Sequence, residues 1–317
     1  MPIRHRPVSA RRCTPAAWLL AALLLTAFAL SGCAGAEGSR LEKGKTNVVT
    51  SFYPLYFLAK EIGGKNVNAI NLIPAGVEPH DWSPKSRDLD TASKAQLFLY
   101  NGAGLEGWVN DFLQGLPGDS KLVTLEASKG IKLIAGNPDG GGSAGTDPHT
   151  WVSPKSMIVM AGTVLSALQQ VDPPHKADYE GNYDKLKAKL DALDEEYTNK
   201  LSAVPHRNIV VSHQAFGYLA RDYGLHQVSI MGLSPDAEPK AQDLLHIAKF
   251  VKDQGVKYIF FESLVSDELA KTLAGETGAG TLVLNPLEGL TPEQEKNGDD
   301  YFSIMKANLQ NLLKALQ

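Results

Sequence analysis

The residues of this chain best suited to chemistry are three histidines in three separate motifs: His80 in VEPHDWSP, His149 in DPHTWVSP and His213 in IVVSHQAFGYLA. Each stands where a chain would leave a strand and re-enter structure. Neutral imidazole is a borderline-soft donor, and three imidazoles with one carboxylate satisfy a tetrahedral zinc ion. No HExxH pair on one helix is present, so the helical zinc-protease geometry is unavailable. A metal site in this sequence has to be assembled by folding from distant parts of the chain. The remaining His5, His175, His206, His226 and His246 lie in contexts that read as structural or solvent-facing.

The elements that must position these residues alternate in type. Apolar runs NVVTSF, VNAINLIPAG and AQLFLYNG are separated by helical patterns near PLYFLAKEIG and SPKSRDLDTAS, the signature of an α/β fold with a mostly parallel sheet. A helical pattern from Pro154 to Val171 stops at Asp172-Pro173-Pro174. A longer one follows from about His175 to Leu201, with Tyr179, Tyr183, Leu186, Leu190, Leu193 and Tyr197 at three- and four-residue steps. At 1.5 Å per residue it spans about 40 Å, enough to join two lobes. After Pro205 the rhythm resumes: NIVVS, a helix from about Ala215 to Tyr223, HQVSI, a helix from about Lys240 to Gln254, KYIFFE, a helix near SDELAKTLAGETG, TLVLN, and a helix from about Asp300 to Ala315. Residues 137–146 (NPDGGGSAGT) form a Gly-rich stretch that reads as an exposed, mobile loop.

The N-terminus has the organisation of an export signal. Arg4, Arg6, Arg11 and Arg12 precede an apolar run from Ala16 to Leu30, and Leu30-Ser31-Gly32-Cys33 follows. This resembles a bacterial lipoprotein signal with cleavage before Cys33 and lipid on its sulfur. The run of about 15 apolar residues is short against the ~20 of a spanning helix, and Arg11-Arg12 matches a twin-arginine signal only loosely. Cys13 leaves with the signal and Cys33 is consumed by lipid, so the mature chain has no disulfide and no thiolate metal site. Four arginines and no acid leave with residues 1–32, which takes the formal charge from −4 to −8 and argues against a nucleic-acid partner. Residues 34–45 read as a flexible tether, and the 285 residues from Cys33 are enough for two lobes.

SFYPLYFLAKEIGG, PAGVEPHDWSPKSRDL, FLYNGAGLEGWV, DPHTWVSP, SHQAFGYLARDYGL, VSIMGLSPDAEP and LVLNPLEGLT together resemble the zinc-binding lipoproteins of ABC importers, the cluster A-I solute receptors. The likeness covers Thr46 to Gln317 with the motifs in order. It implies two lobes, each with a mostly parallel β-sheet flanked by helices, joined by one long rigid backbone helix: 46–174 as the N-terminal lobe, 175–204 as the bridge, 205–317 as the C-terminal lobe. It also implies a lipid-anchored, extracytoplasmic, monomeric receptor that delivers Zn2+ to a membrane permease and is not an enzyme.

The resemblance assigns His80 and His149 as metal ligands from the first lobe and His213 as the ligand from the second, where manganese receptors of the same family carry a glutamate. Three nitrogens with one carboxylate suit zinc better than manganese. Glu288, in NPLEGLT after the TLVLN strand, aligns with the family's carboxylate ligand; Glu262 in FFES is the runner-up, its ordinary reading being a strand-end residue that caps the next helix. Asn285 stands where many relatives have Asp, which removes one charged candidate. Trp82, Trp151 and Phe216 read equally as walls of a cleft or as core. Glu78, Asp81 and Asp147 could orient imidazoles but read more simply as solvated loop acids. The alternatives to zinc delivery are a manganese receptor of the same family, or a surface adhesin or metal-buffering lipoprotein. A hydrolase would need a positioned base beside an open metal position, and no such motif is present. The segment before His149 carries no histidine, so an auxiliary His-rich metal-gathering loop is not expected.

Overall fold

The computed structural model describes residues 41–136, 145–236 and 239–317, all within the compact unit Gly38–Gln317. The export signal, Cys33, most of the tether and most of the Gly-rich stretch 137–146 lie outside the described residues. Among the described residues no helix is long and apolar enough to cross a membrane.

The first half contains β1 (Thr46–Thr50), α1 (Tyr53–Gly63), β2 (Val67–Asn71), α2 (Ser86–Ser93), β3 (Leu97–Tyr100), α3 (Val109–Gln114), β4 (Val123–Glu126) and α4 (Pro154–Val171). The long α5 (Lys176–Ser202) follows. The second half contains β5 (Asn208–Val211), α6 (Gly217–Tyr223), β6 (His226–Ser229), α7 (Ala241–Asp253), β7 (Tyr258–Phe261), α8 (Glu268–Thr277), β8 (Gly280–Val283), α9 (Pro292–Asn297) and α10 (Tyr301–Leu316). Each half holds a four-stranded, all-parallel sheet, with orders β2-β1-β3-β4 and β6-β5-β7-β8. In both, the order reverses between the first and third strands, and the crevice beyond the carboxyl ends of those strands is where an open sheet presents binding residues.

Alternation along the strands decides how the halves are joined. Val48, Leu97 and Leu99 of the first sheet and Ile209, Val211 and Phe260 of the second belong to one continuous apolar core. Their neighbours point the other way: Val49 and Phe98 into a separate core under α2 and α3, Val210 and Ile259 into another under α7 and α8. Both sheet faces are covered, as a parallel sheet requires. The shared core is sealed by α5, which buries Tyr179, Leu186, Leu190, Leu193, Tyr197 and Leu201 in one stripe and packs on α1 and α4 of the first half and α6 and α10 of the second. Asp172, at its start, ties the helix down by accepting from Tyr179, His175 and Thr46. The expected two-lobed α/β architecture with one long helix is observed.

Three elements escape the periodicity reading. β4 is an edge strand that buries little, and α3 is only six residues long. The polar α9 has no apolar face at all; it is set by a capping box in which Thr291 accepts from the Gln294 amide and Gln294 accepts from the Thr291 amide, with Pro292 in the first turn.

Candidate metal centre

His80, His149, His213 and Glu288 converge, each offering one atom to a common point. Two of the donors follow strand ends closely: His213 is two residues beyond β5, Glu288 five beyond β8. His80 comes nine residues after β2, in an irregular loop. His149 departs from the expectation that every histidine leaves a strand, because it opens a 3-10 turn (Thr150–Val152) that leads into α4.

The DPHT motif explains how His149 is fixed. Asp147 Oδ1 accepts from the His149 amide at 3.0 Å and from its Nδ1 at 2.9 Å. The Asn101 side chain, beyond β3, donates to the Pro148 carbonyl at 2.8 Å and accepts from the Thr150 hydroxyl at 3.1 Å. Asn101 is itself held by the buried Glu106, which accepts from the Asn101 and Gly102 amides and from the Ser51 hydroxyl; burial raises the Glu106 carboxyl above its usual range. From the second half, Tyr218 donates its hydroxyl to the Asp147 carbonyl at 2.7 Å and accepts from the Ile134 amide. Gly217 lies so close that a Cβ there would meet Asp147 Oδ2 at 2.3 Å. Asp147 is therefore a wholly buried orienting group rather than a solvated loop acid.

His213 is held in the same manner. Glu262 Oε1 accepts from its Nδ1 at 2.7 Å and from its amide at 3.2 Å. Glu262 thus lies behind the imidazole, outside the converging quartet, and it does not cap the following helix. Glu288 is placed by its own loop. Leu287, fully buried, adopts a left-handed φ of 60°, and the Asn285 side chain accepts its amide at 2.7 Å. Asn285 therefore serves as a backbone clamp and stands outside the quartet of donors.

Because carboxylates accept, the Nδ1 atoms of His149 and His213 donate, and in the neutral rings both Nε2 atoms are bare lone pairs. These two atoms are 3.2 Å apart, and His80 Nε2 is 3.2 Å from His149 Nε2. Glu288 Oε1 lies 3.4, 3.2 and 3.3 Å from the Nε2 atoms of His80, His149 and His213, yet accepts no well-directed hydrogen bond among the described residues. A tetrahedral zinc with bonds of about 2.0–2.1 Å has donor–donor edges of about 3.3–3.4 Å. Lone pairs so arranged repel one another unless a proton or a cation lies between them. The titration of the groups reflects this: burial pushes His213 down, but the Glu262 and Glu288 charges outweigh it and hold it well above the usual imidazole range. Burial would raise Glu288, but the charge on His213 and the approach of all three rings hold it well below the usual carboxylate range.

The side chains of His149 and His213 are fully buried and that of Glu288 nearly so, whereas His80 keeps 11% exposure and marks the mouth. Glu78 lies there half-buried, its carboxyl pushed up to about 8 by burial and by the Glu288 charge. Asp81 and Asp236 complete an exposed acidic group beside it. Trp151 is both wall and core: its ring lies 5.4 Å from His149 and edge-on to Phe52 at 4.6 Å. Trp82 packs instead on Trp108, and Phe216 is core. His175 donates to Asp172, and His226 lies against Phe250. No local pattern marks Asn101, Glu106 and Tyr218 as supports of the site, since the groups through which they act on it, Ser51, Pro148, Thr150 and Asp147, lie far from them in the chain.

A two-lobed parallel α/β fold with metal-type donors converging from both halves defines the class of solute receptors for metal ions. Within that class the chain belongs to the family described as zinc-uptake complex component A, periplasmic, whose family model matches residues 48–315. It is 40% identical over 298 residues to the high-affinity zinc uptake system protein ZnuA of Bacillus subtilis, covering 91% of this chain and 93% of that one. It is 38% identical over 291 residues to the zinc-binding protein AdcA of Streptococcus pyogenes, covering 86% of this chain and 56% of AdcA, so it spans little more than half the length of that relative. The Zn(II)-bound ZnuA-like domain of Streptococcus pneumoniae AdcA superposes with a TM-score of 0.76 at 40% identity, over 86% of this chain and 99% of that domain.

Proposed function

We propose that this chain is an extracytoplasmic zinc receptor that captures Zn2+ between its two halves and delivers it to the permease of an ABC importer. The observation that carries the reading is the cluster of three ring nitrogens and one carboxylate oxygen, five of whose six edges are 3.2–3.4 Å. His80, His149, His213 and Glu288 are the proposed ligands. The N3O donor set suits zinc over manganese, which prefers more oxygen. Four protein donors leave no open position for a metal-bound water, the feature a hydrolytic zinc site retains, so the site is read as a carrier and not an enzyme. The names of the relatives, zinc uptake and zinc-binding, agree with this metal.

The proposed organisation is a signal over 1–32, acylation of Cys33, a tether to 45, an N-terminal lobe over 46–174, the bridge over 175–204 and a C-terminal lobe over 205–317. The receptor works as a monomer held at the membrane by its lipid. Its chemistry at the site is proton exchange for metal: the raised His213 gives up its proton when zinc takes the Nε2 lone pair. Titration of the stripped full chain with zinc and manganese, with elemental analysis, tests the reading. One zinc per chain, displacing manganese, is expected, and His149→Ala should bind zinc far more weakly while keeping its circular dichroism. Unchanged zinc stoichiometry and affinity in that variant would place the metal elsewhere.

A further inference from the structure

Two donors of the cluster, His149 and Glu288, belong to opposite halves of the chain, and their spacing of 3.2 Å has to be maintained across that divide. One hydrogen bond spans it close to both. Trp151 Nε1, two residues past His149, donates to the Pro286 carbonyl, two residues before Glu288, at 2.7 Å and fully buried. The bond is part of a closed circuit. The Trp151 carbonyl accepts from the Tyr301 hydroxyl at 3.0 Å, at the start of α10. About two helical turns along the same helix, Asn308 accepts from the Asn285 amide at 2.9 Å and donates to the Asn285 carbonyl at 2.7 Å. Asn285 in turn clamps the Leu287 amide and so the left-handed turn that aims Glu288. A strained conformation of this kind persists only where its surroundings over-determine it.

From this geometry we infer that Trp151 is the positioning residue that sets the His149–Glu288 spacing, and with it the preference of the site for a four-coordinate metal. The inference rests on the zinc-receptor reading and adds a residue that touches no metal. Breaking the strut removes the direct hydrogen bond between the segments that carry the two donors. Tyr301, Tyr218 and the shared core still hold the halves together, but the edge between His149 and Glu288 is then held only indirectly and can lengthen. An edge longer than the tetrahedral one leaves one of the two donors short of bonding distance, and water taken in its place opens the ion to higher coordination. The indole N–H, rather than the bulk of the ring, is the operative group.

The test uses the full chain, stripped and loaded with cobalt(II), whose visible absorption is strong when four-coordinate and weak when six-coordinate. Trp151→Phe keeps an aromatic ring beside His149 and removes the donor. A site-specific replacement of the indole by benzothiophene keeps its shape as well, and serves if the phenylalanine variant does not fold. Phe98→Leu, in the separate core under α2 and α3, is a control for general loss of packing. Both Trp151 changes are expected to weaken zinc by about 10- to 100-fold, the usual effect of losing a group that orients a ligand, and to reduce the cobalt absorption, while Phe98→Leu leaves both unchanged. Wild-type zinc affinity and an undiminished cobalt spectrum in the benzothiophene protein would overturn the inference and leave the zinc-receptor reading standing. Failure of the unaltered chain to bind zinc or cobalt would overturn that reading and the inference with it.

Discussion

Glu262→Gln removes the charge behind His213 while keeping the size of the side chain and one acceptor oxygen. Its Oε1 lies 2.7 Å from Nδ1 in surroundings where both side chains are almost wholly buried. A hydrogen bond to an ionised partner is worth about 1.5–3 kcal/mol and is roughly twice as strong as its neutral counterpart, so the amide oxygen of Gln forfeits about 1 kcal/mol or somewhat more of ligand support. Zinc affinity near pH 7.5 should fall about tenfold, within the range found for groups that orient metal ligands. The pH dependence gives the sharper check. Glu262 favours zinc on His213, but it also favours the competing proton, since it is one cause of the raised His213 pKa. In the wild-type protein apparent zinc affinity must decline as pH falls through that raised pKa, because binding then displaces a proton. In the variant the His213 pKa drops and the decline begins at lower pH, so the affinity ratio between the two proteins should shrink as pH is taken from about 8 to about 5.5. Competition with a chromophoric zinc chelator at several pH values measures the ratio. A constant ratio across that range, or none at pH 7.5, would refute the coupling of Glu262 to the ligand.

Gly217→Ala puts a Cβ 2.3 Å from Asp147 Oδ2, so either α6 or the carboxylate must move; a loss of about 1–3 kcal/mol in thermal or denaturant stability is expected, together with weaker zinc binding as Asp147 leaves His149. Because one apolar core and α5 are shared by both halves, zinc should produce a small local adjustment rather than a wide hinge motion. Scattering curves of stripped and zinc-loaded protein should nearly superimpose, and a large compaction on loading would contradict the shared-core argument.

Local signals in the chain were strong where period and capping were strong. The stripe Tyr179, Leu186, Leu190, Leu193, Tyr197 lies on one helical face, so the long helix was readable to within a residue at each end. The apolar runs that became β1, β3, β5 and β7 were readable because central parallel strands are buried on both faces. The edge strand β4 and the polar α9 have neither property. At the site, the histidine motifs were legible as motifs. The burial of Asp147 was not, since an acid beside Pro in a Gly-containing segment looks the same whether it is solvated or enclosed, and Tyr218 and Gly217, which enclose it, lie some seventy residues away.

The sequence by itself determined the donor types, the lack of any cysteine after Cys33, the alternation of strand and helix and the bridge between the halves. These follow from side-chain chemistry and from periods of two and 3.6 residues, which are properties of neighbours in the chain. Only the tertiary structure decided that Glu288 meets the ring nitrogens while Glu262 stands behind His213, and that Asn285 clamps a left-handed turn. It also decided that a tryptophan N–H from one half meets a carbonyl of the other across 135 residues of sequence. Spacings of 3.2–3.4 Å between groups so far apart are fixed by the packing of two sheets and a helix around one core, and no local pattern encodes that distance.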